Sequence, residues 1–268
     1  MSIITISRGS YSRGKDVAER VAAALGYECI SRDILLEASE EFNTTELKLI
    51  RALHDAPSLL DRFTYGKERY IAYIRSTLLK YVQKDNVVYH GLGGHFFLQG
   101  IPHVFKVRII AQFEDRLMEE MKRENISAEE ARYILKKDDE ERRKWGLHLY
   151  GKDTTDASLY DMMLHIKTMS VKDAVEVIQC AVKRPCFQTT PQSQAVLNNL
   201  VLSSQVEARL VKQFPSITAH AEEGVVTVNV KAPLSHEDEI TAQVKEEAGR
   251  VEGVKTVKVY ISPSPTGD

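Results

Sequence analysis

Gly9, Gly14 and Lys15, within "RGSYSRGKD", have the G-x-x-x-x-G-K spacing of a phosphate-binding loop. In such a loop the main-chain N–H groups converge on phosphate oxygens, and the N-terminus of the following helix adds a favourable dipole. Ser10, Tyr11, Ser12 and Arg13 supply the intervening backbone, and Lys15 would reach the β- and γ-phosphates as a point charge. The next position calls for a Ser or Thr hydroxyl on magnesium, and Asp16 stands there instead. The competing reading is a surface turn that happens to hold two glycines and a lysine. The setting favours the loop. It directly follows the β-branched run "SIITIS" and opens "KDVAERVAAALGY", where Val17, Val21, Ala24 and Leu25 recur at helical spacing and Gly26 suits a C-terminal stop.

Phosphoryl transfer also needs concentrated positive charge and an oriented acceptor. Arg32 and Asp33, in "ISRDIL", follow a second expected strand, "ECIS". In a parallel sheet that strand end faces the crevice holding the glycine loop, so Arg32 could hold an acceptor phosphate and Asp33 a sugar hydroxyl or a metal. Alone, the pair reads as a helix N-cap beside a solvated arginine. A second cluster lies in "KKDDEERRKWGL", where Asp139 and Arg142 sit three apart with Arg143 adjacent. An arginine-bearing lid would close over a nucleotide and exclude water. The alternative there is a solvated helix laced with i, i+3 and i, i+4 ion pairs. His90 and His95 flank the turn "HGLGGH" and read as structural, and no metal-binding set is legible.

The elements that must position these residues alternate strand and helix from residue 1 to about 184, which points to a parallel sheet covered on both faces. Further strands are expected in "NVVYH", "VFKVRIIAQ" and "LYDMMLHIK". Helices are expected over much of 43–85, in "FEDRLMEEMKREN", in a long charged segment opened by a Ser127–Glu130 capping box, and in "SVKDAVEVIQCAVK" capped by Ser170. The character then changes. "RPCFQTTPQSQ" has linker chemistry over 185–196, and an α-β-β-α-β order over 197–262 marks a small domain of another class before a disordered tail, 263–268. A formal net charge of −2 gives no support for a nucleic-acid binder. Three cysteines (Cys29, Cys180 and Cys186) cannot all pair within one chain and match no zinc spacing. No secretory leader and no apolar run of about 18 residues is legible, so a cytoplasmic protein is the expectation.

"ITISRGSYSRGKDVAERVAAALGYECISRDIL" resembles the opening of the cytidylate kinase-like family, relatives of bacterial CMP kinase with the P-loop nucleoside monophosphate kinase fold. "VVYHGLGGHFFLQGIPHVFKVRIIAQFEDRLMEEM" is similar to that family's middle strand, glycine turn and next strand–helix unit. "KKDDEERRKWGLHLYGKDTTDASLYDMMLHIK" is similar to its lid and closing strand. The resemblance covers residues 1 to about 183. It implies ATP and Mg2+ as cofactors and transfer to a nucleoside monophosphate or similar small phosphate acceptor. Gly9 to Asp16 would bind the donor phosphates, and Lys15, Arg32, Asp33, Arg142 and Arg143 would carry catalysis. Arg32, Asp33, Arg75 and Asp139 would face the acceptor, and Asp161 would order a strand end. Two positions depart from the pattern: Asp16, and Leu92, where relatives commonly have arginine and for which Arg69, Arg75 or Arg108 could substitute. These departures keep open a second reading, an ATP-binding regulatory protein with little or no transfer activity. Residues 197–262 resemble a BON domain, which implies a ligand-binding, regulatory or oligomerising role, with a homo-oligomer or a macromolecular partner.

Overall fold

β1 (Ile3–Arg8) is sealed on both faces, with Ile3, Ile4 and Ile6 fully buried. Side chains alternate across a strand, so Ile3 joins one core while Ile4 and Ile6 join the other. This computed structural model describes residues 2–9, 12–31, 64–91 and 93–263. The chain continues through α1 (Gly14–Leu25), β2 (Glu28–Ser31), α2 (Gly66–Val82), β3 (Val87–His90), the short α3 (Gly94–Phe97) and β4 (Val104–Ala111). A helical hairpin follows, α4 (Phe113–Glu124) and α5 (Ala128–Tyr150), then β5 (Met162–Ile166) and α6 (Val171–Val182).

These strands form one five-stranded sheet, ordered β2-β3-β1-β4-β5, in which every neighbouring pair is parallel. On one face α1 and α6 cover Ile4, Ile6 and Val107 with Val17, Val21 and Ile178. On the other, α2 covers Ile3 and Tyr89 with Tyr70, Ile74 and Leu78. β1 is central. The chain leaves it toward β2 on one side and reaches β4 on the other, which places a topological switch point at its C-terminal end. The expected glycine loop begins there.

Local signals act as their chemistry requires. Gly26 takes φ 69 and closes α1, with Tyr27 N–H bonded to Ala22 O at 2.9 Å. Ser127 Oγ accepts from Glu130 N–H at 3.3 Å, while the Glu130 carboxylate accepts from Ser127 N–H at 3.0 Å. That reciprocal box starts α5, and Ser170 with Asp173 starts α6 in the same way.

The expected linker stretch, 185–196, holds helical turns. Residues 185–187 form a 3-10 turn, and α7 (Pro191–Leu210) already begins within that stretch. Thr190 caps it by accepting from Ser193 N–H at 3.1 Å, and Pro191 occupies the first helical turn, where its missing N–H costs nothing. The polar, proline-containing composition is thus a helix start. Beyond α7 come β6 (Thr218–Glu222), β7 (Val225–Lys231), α8 (Glu237–Gly249) and β8 (Thr256–Ser262). β6 pairs antiparallel and β8 parallel with β7, giving the expected α-β-β-α-β order. Val226, Val228 and Val230 are buried beneath α7 and α8, in a core continuous with that under α2. No helix among the described residues is long and apolar enough to cross a membrane.

Candidate functional site

The loop between β1 and α1 is pinned from below. Ser12 is fully buried, and its hydroxyl lies within bonding distance of Gly9 O at 3.0 Å and Ile109 O at 3.1 Å, tying the turn to β4. Arg13 takes φ 62 immediately before α1. At Gly14 an added Cβ would lie 2.6 Å from Arg8 Cβ, so only glycine lets the helix N-terminus sit this close to the strand end. Strand, tight turn and helix therefore stand in the order a phosphate loop requires.

Two cavities flank this loop. The first, about 650 Å³, lies between α1, α4 and the turn from β5 into α6. Its lining combines Arg13, Asp16 and Arg20 with the apolar Met118, Ile166 and Met169. The second, about 510 Å³, lies at the switch point between the ends of β1 and β4 and under α5. Gly9 and Ser12 border it, and six cations line it: Arg8, Arg108, Arg116, Lys136, Arg142 and Arg143. Asp139 and Glu140 are the acids on the same wall.

Arg116 belongs to both cavities. Its guanidinium is nearly buried and pairs with Asp139 at 2.7 Å, while its Nε is buried without an acceptor among the described residues. An orphaned cationic donor beside an open glycine turn is a place for an anion. Arg108 is also buried, 3.1 Å from Tyr160 Oη and 3.4 Å from Ser7 Oγ, with its guanidinium 5.5 Å from the Tyr160 ring centre. Tyr160 Oη lies 2.8 Å from Thr154 O, within its own segment, and 3.2 Å from Ser7 Oγ, which ties the segment before β5 to β1. Arg143 is held by Asp153 at 3.0 Å, and bonds from Thr155 and Arg143 bring the Asp153 carboxyl down to about 2.

His95 stacks between Phe96 and Tyr160, with ring centres 4.0 and 4.9 Å away, and its Nε2 has no partner among the described residues. Burial, with Arg108 and Lys106 nearby, pushes its pKa down to about 3, so it is neutral at physiological pH. No cluster of three metal-ligating side chains occurs among the described residues. Asp161 accepts from Lys106 N–H at 2.8 Å and from Lys106 Nζ at 3.2 Å, tying the ends of β4 and β5 together.

The sequence-based site is brought together only in part. Gly9, Ser12, Asp139, Arg142 and Arg143 line the second cavity, and Arg13 and Asp16 the first. Lys15 lines neither; its ammonium is exposed and 3.7 Å from Glu19, one turn along α1. Asp16 is engaged by Arg20 at 2.5 Å. Arg75, expected at the acceptor, lies elsewhere: it pairs with Glu207 of α7 at 2.7 Å. Ser10, Tyr11, Arg32, Asp33 and Leu92 lie outside the described residues, as do residues 43–63 of the helical expectation over 43–85. Arg8, Arg116 and Lys136 were missed. Lys136, Asp139, Glu140 and Arg143 recur at helical spacing, and that pattern could have drawn Lys136 into the site.

The profile of the cytidylate kinase-like family matches residues 3–168. The chain belongs to this family. The match takes in the whole parallel sheet, the second cavity, the α4–α5 hairpin and most of the lining of the first cavity, and stops before α6. An uncharacterised protein from Eubacterium ventriosum superposes with a TM-score of 0.54 at 19% identity, over 69% of this chain and 100% of that one. Shikimate kinase from Bacteroides thetaiotaomicron gives 0.42 at 13% identity, over 68% and 99% of the two chains. Dephospho-CoA kinase from Campylobacter jejuni gives 0.33 at 18%, over 66% and 96%. No curated protein matches the chain. The five-stranded parallel sheet flanked by helices is consistent with a P-loop kinase.

Proposed function

We propose that the protein is an ATP-dependent phosphotransferase acting on a nucleoside monophosphate or a similar small phosphate-bearing acceptor. The observation that carries this reading is Arg116, a buried cation whose Nε has no partner among the described residues, shared by two cavities on either side of a glycine loop. The first cavity, with arginines at its rim and Met118, Ile166 and Met169 along its wall, suits a nucleoside whose phosphates run toward Arg116. The second cavity concentrates cations where an in-line transfer would spread negative charge over equatorial oxygens.

The residues divide the work by position. Gly9 leaves the loop backbone open toward Arg116 and Asp139, and Ser12 fixes the curvature of that backbone. Arg108, braced by Ser7 and Tyr160, is a fixed charge at the floor, while Arg142 and Arg143 project from the helical hairpin. Asp16 is the carboxylate that fits a magnesium role beside the donor phosphates, with Arg20 as the partner it would have to share. Magnesium would supply further neutralisation of phosphate charge.

The test incubates the protein with ATP, magnesium and a panel of nucleoside monophosphates, with Arg116→Ala alongside. Diphosphate should form, and turnover should fall about 100-fold in the variant. Tight ATP binding with no transfer to any acceptor would favour the regulatory reading instead. The pairing of Lys15 with Glu19 and of Asp16 with Arg20, none of which lines the cationic cavity, is the observation that favours that alternative. For residues 197–262 we propose a BON-like module, supported by the α-β-β-α-β order. The free thiols of Cys29, Cys180 and Cys186 support a reducing, cytoplasmic setting.

A further inference from the structure

β8 lies at the edge of the C-terminal sheet and pairs with β7 along its whole length. Thr256 N–H bonds to Gly224 O, and Ser262 O accepts from Ala232 N–H, so both ends of β8 direct their main-chain groups toward β7. Alternation along the strand then turns the N–H and C=O groups of Val257, Val259 and Ile261 outward, where no described residue pairs with them. The side chains of these three face the core but are only partly buried, whereas Val226, Val228 and Val230 of β7 are buried. Tyr260, on the opposite face, is 58% exposed. A seven-residue edge with no proline and a single lysine is a ready template for another strand. The other edge, β6, is shorter and ends in Glu222.

We propose that two copies of the chain join through β8, antiparallel and centred on Val259, into one continuous six-stranded sheet. The strand is complementary to itself in this register. Val259 meets its symmetry mate across the twofold axis, Val257 meets Ile261, Thr256 meets Ser262, and Lys258 meets Tyr260. Every pair is of matching chemistry: apolar with apolar, hydroxyl with hydroxyl, and a cation with an aromatic ring. The register is also the one in which all seven residues overlap. Centring on Lys258 instead would set two ammonium groups opposite each other in the closer, non-hydrogen-bonded type of pair. The inference rests on the strand alone and is independent of nucleotide binding.

Sedimentation of the full-length protein across the micromolar range tests it. The expected result is a dimer for the native chain and a monomer for Tyr260→Lys, which sets lysine opposite lysine twice. The double variant K258E/Y260K should restore the dimer, because opposite charges then face each other across the same axis. Both positions are exposed within one chain, so at concentrations low enough for both proteins to be monomeric thermal unfolding should change little, which separates association from folding. A monomeric native chain, or a dimer unaffected by Tyr260→Lys, overturns the proposal.

Discussion

At the scale of single residues, two positions near the cavities make opposite demands on their neighbours. Gly14 has no room: a methyl group there would meet the Arg8 side chain at 2.6 and 2.9 Å, with Cβ rather than a flexible tip as the nearer atom. Gly14→Ala is therefore expected to destabilise the fold by about 1–3 kcal/mol and to lower ATP affinity by displacing the loop, read from urea unfolding and equilibrium binding. His95 has room for its ring, but no described residue bonds its Nε2. Its folded pKa of about 3 lies below the ordinary 6.5, so the unfolded chain binds the extra proton between those values. Stability contributed at this site is complete above about 6.5 and drains away as pH falls toward 3, by up to about 1.4 kcal/mol per pH unit. His95→Phe keeps the stacking on Phe96 and Tyr160 and should remove this acid sensitivity. Urea midpoints of the two proteins should differ progressively between pH 6 and 4, and parallel curves would show that His95 does not titrate on unfolding.

At the scale of elements, α5 enters the main core through Trp145 and Leu149 at its C-terminal end, while the outer part of the α4–α5 hairpin is thinly anchored. Its own core is Leu117, Ala131 and Leu135, against the two large clusters that grip the sheet. Arg116–Asp139 and the Ser127 capping box supply much of the remaining order. Amide hydrogen exchange along residues 122–137 should accordingly be faster than in β1 and β4. Ser127→Ala should cost the helix about 1 kcal/mol and quicken exchange in that hairpin, leaving the sheet unchanged. These elements were legible in the sequence because their signals are local. Capping boxes, Gly26 and the β-branched strands each act within a few residues. The site was less legible, because its geometry depends on which strand ends become neighbours. Arg8 and Arg116 lie more than a hundred residues apart and meet only because β4 pairs with β1. Arg75 shows the reverse error: an arginine of suitable type was drawn toward the acceptor, whereas packing of α2 against α7 gives it Glu207. Pro191, within the stretch given linker chemistry, shows that a proline marks a helix start as well as it marks a loop.

At the scale of the whole molecule, the C-terminal unit is built onto the family domain through a shared core. Tyr70, Ile74 and Leu78 of α2 belong to the same buried cluster as Leu197 and Val201 of α7 and the valines of β7. Polar bonds reinforce this seam: Gln83 donates to Asn198 at 3.0 Å, and Gln194 donates to Gln83 O at 3.2 Å. Its charged centre is Arg75–Glu207, with the same carboxylate accepting from Ala219 N–H at 2.9 Å. Burial raises the Glu207 pKa above 4.5, with Arg75 and the Ala219 N–H opposing the rise. Since the folded value is the higher one, stability from this group is full below the unfolded value and is lost as pH rises through the folded one. Removing the cation must steepen that loss. Arg75→Ala is expected to match the native protein below about pH 4, where Glu207 is protonated in both states. It should fall behind by about 1–3 kcal/mol near neutrality, where an unpaired carboxylate is left buried. Adding Glu207→Gln to Arg75→Ala should recover much of the deficit, because the amide oxygen can still accept from Ala219 without carrying a charge. Urea unfolding of the three proteins at acid and neutral pH decides the matter. An Arg75→Ala deficit that is equal at both pH values would assign the role of Arg75 to packing rather than to its charge.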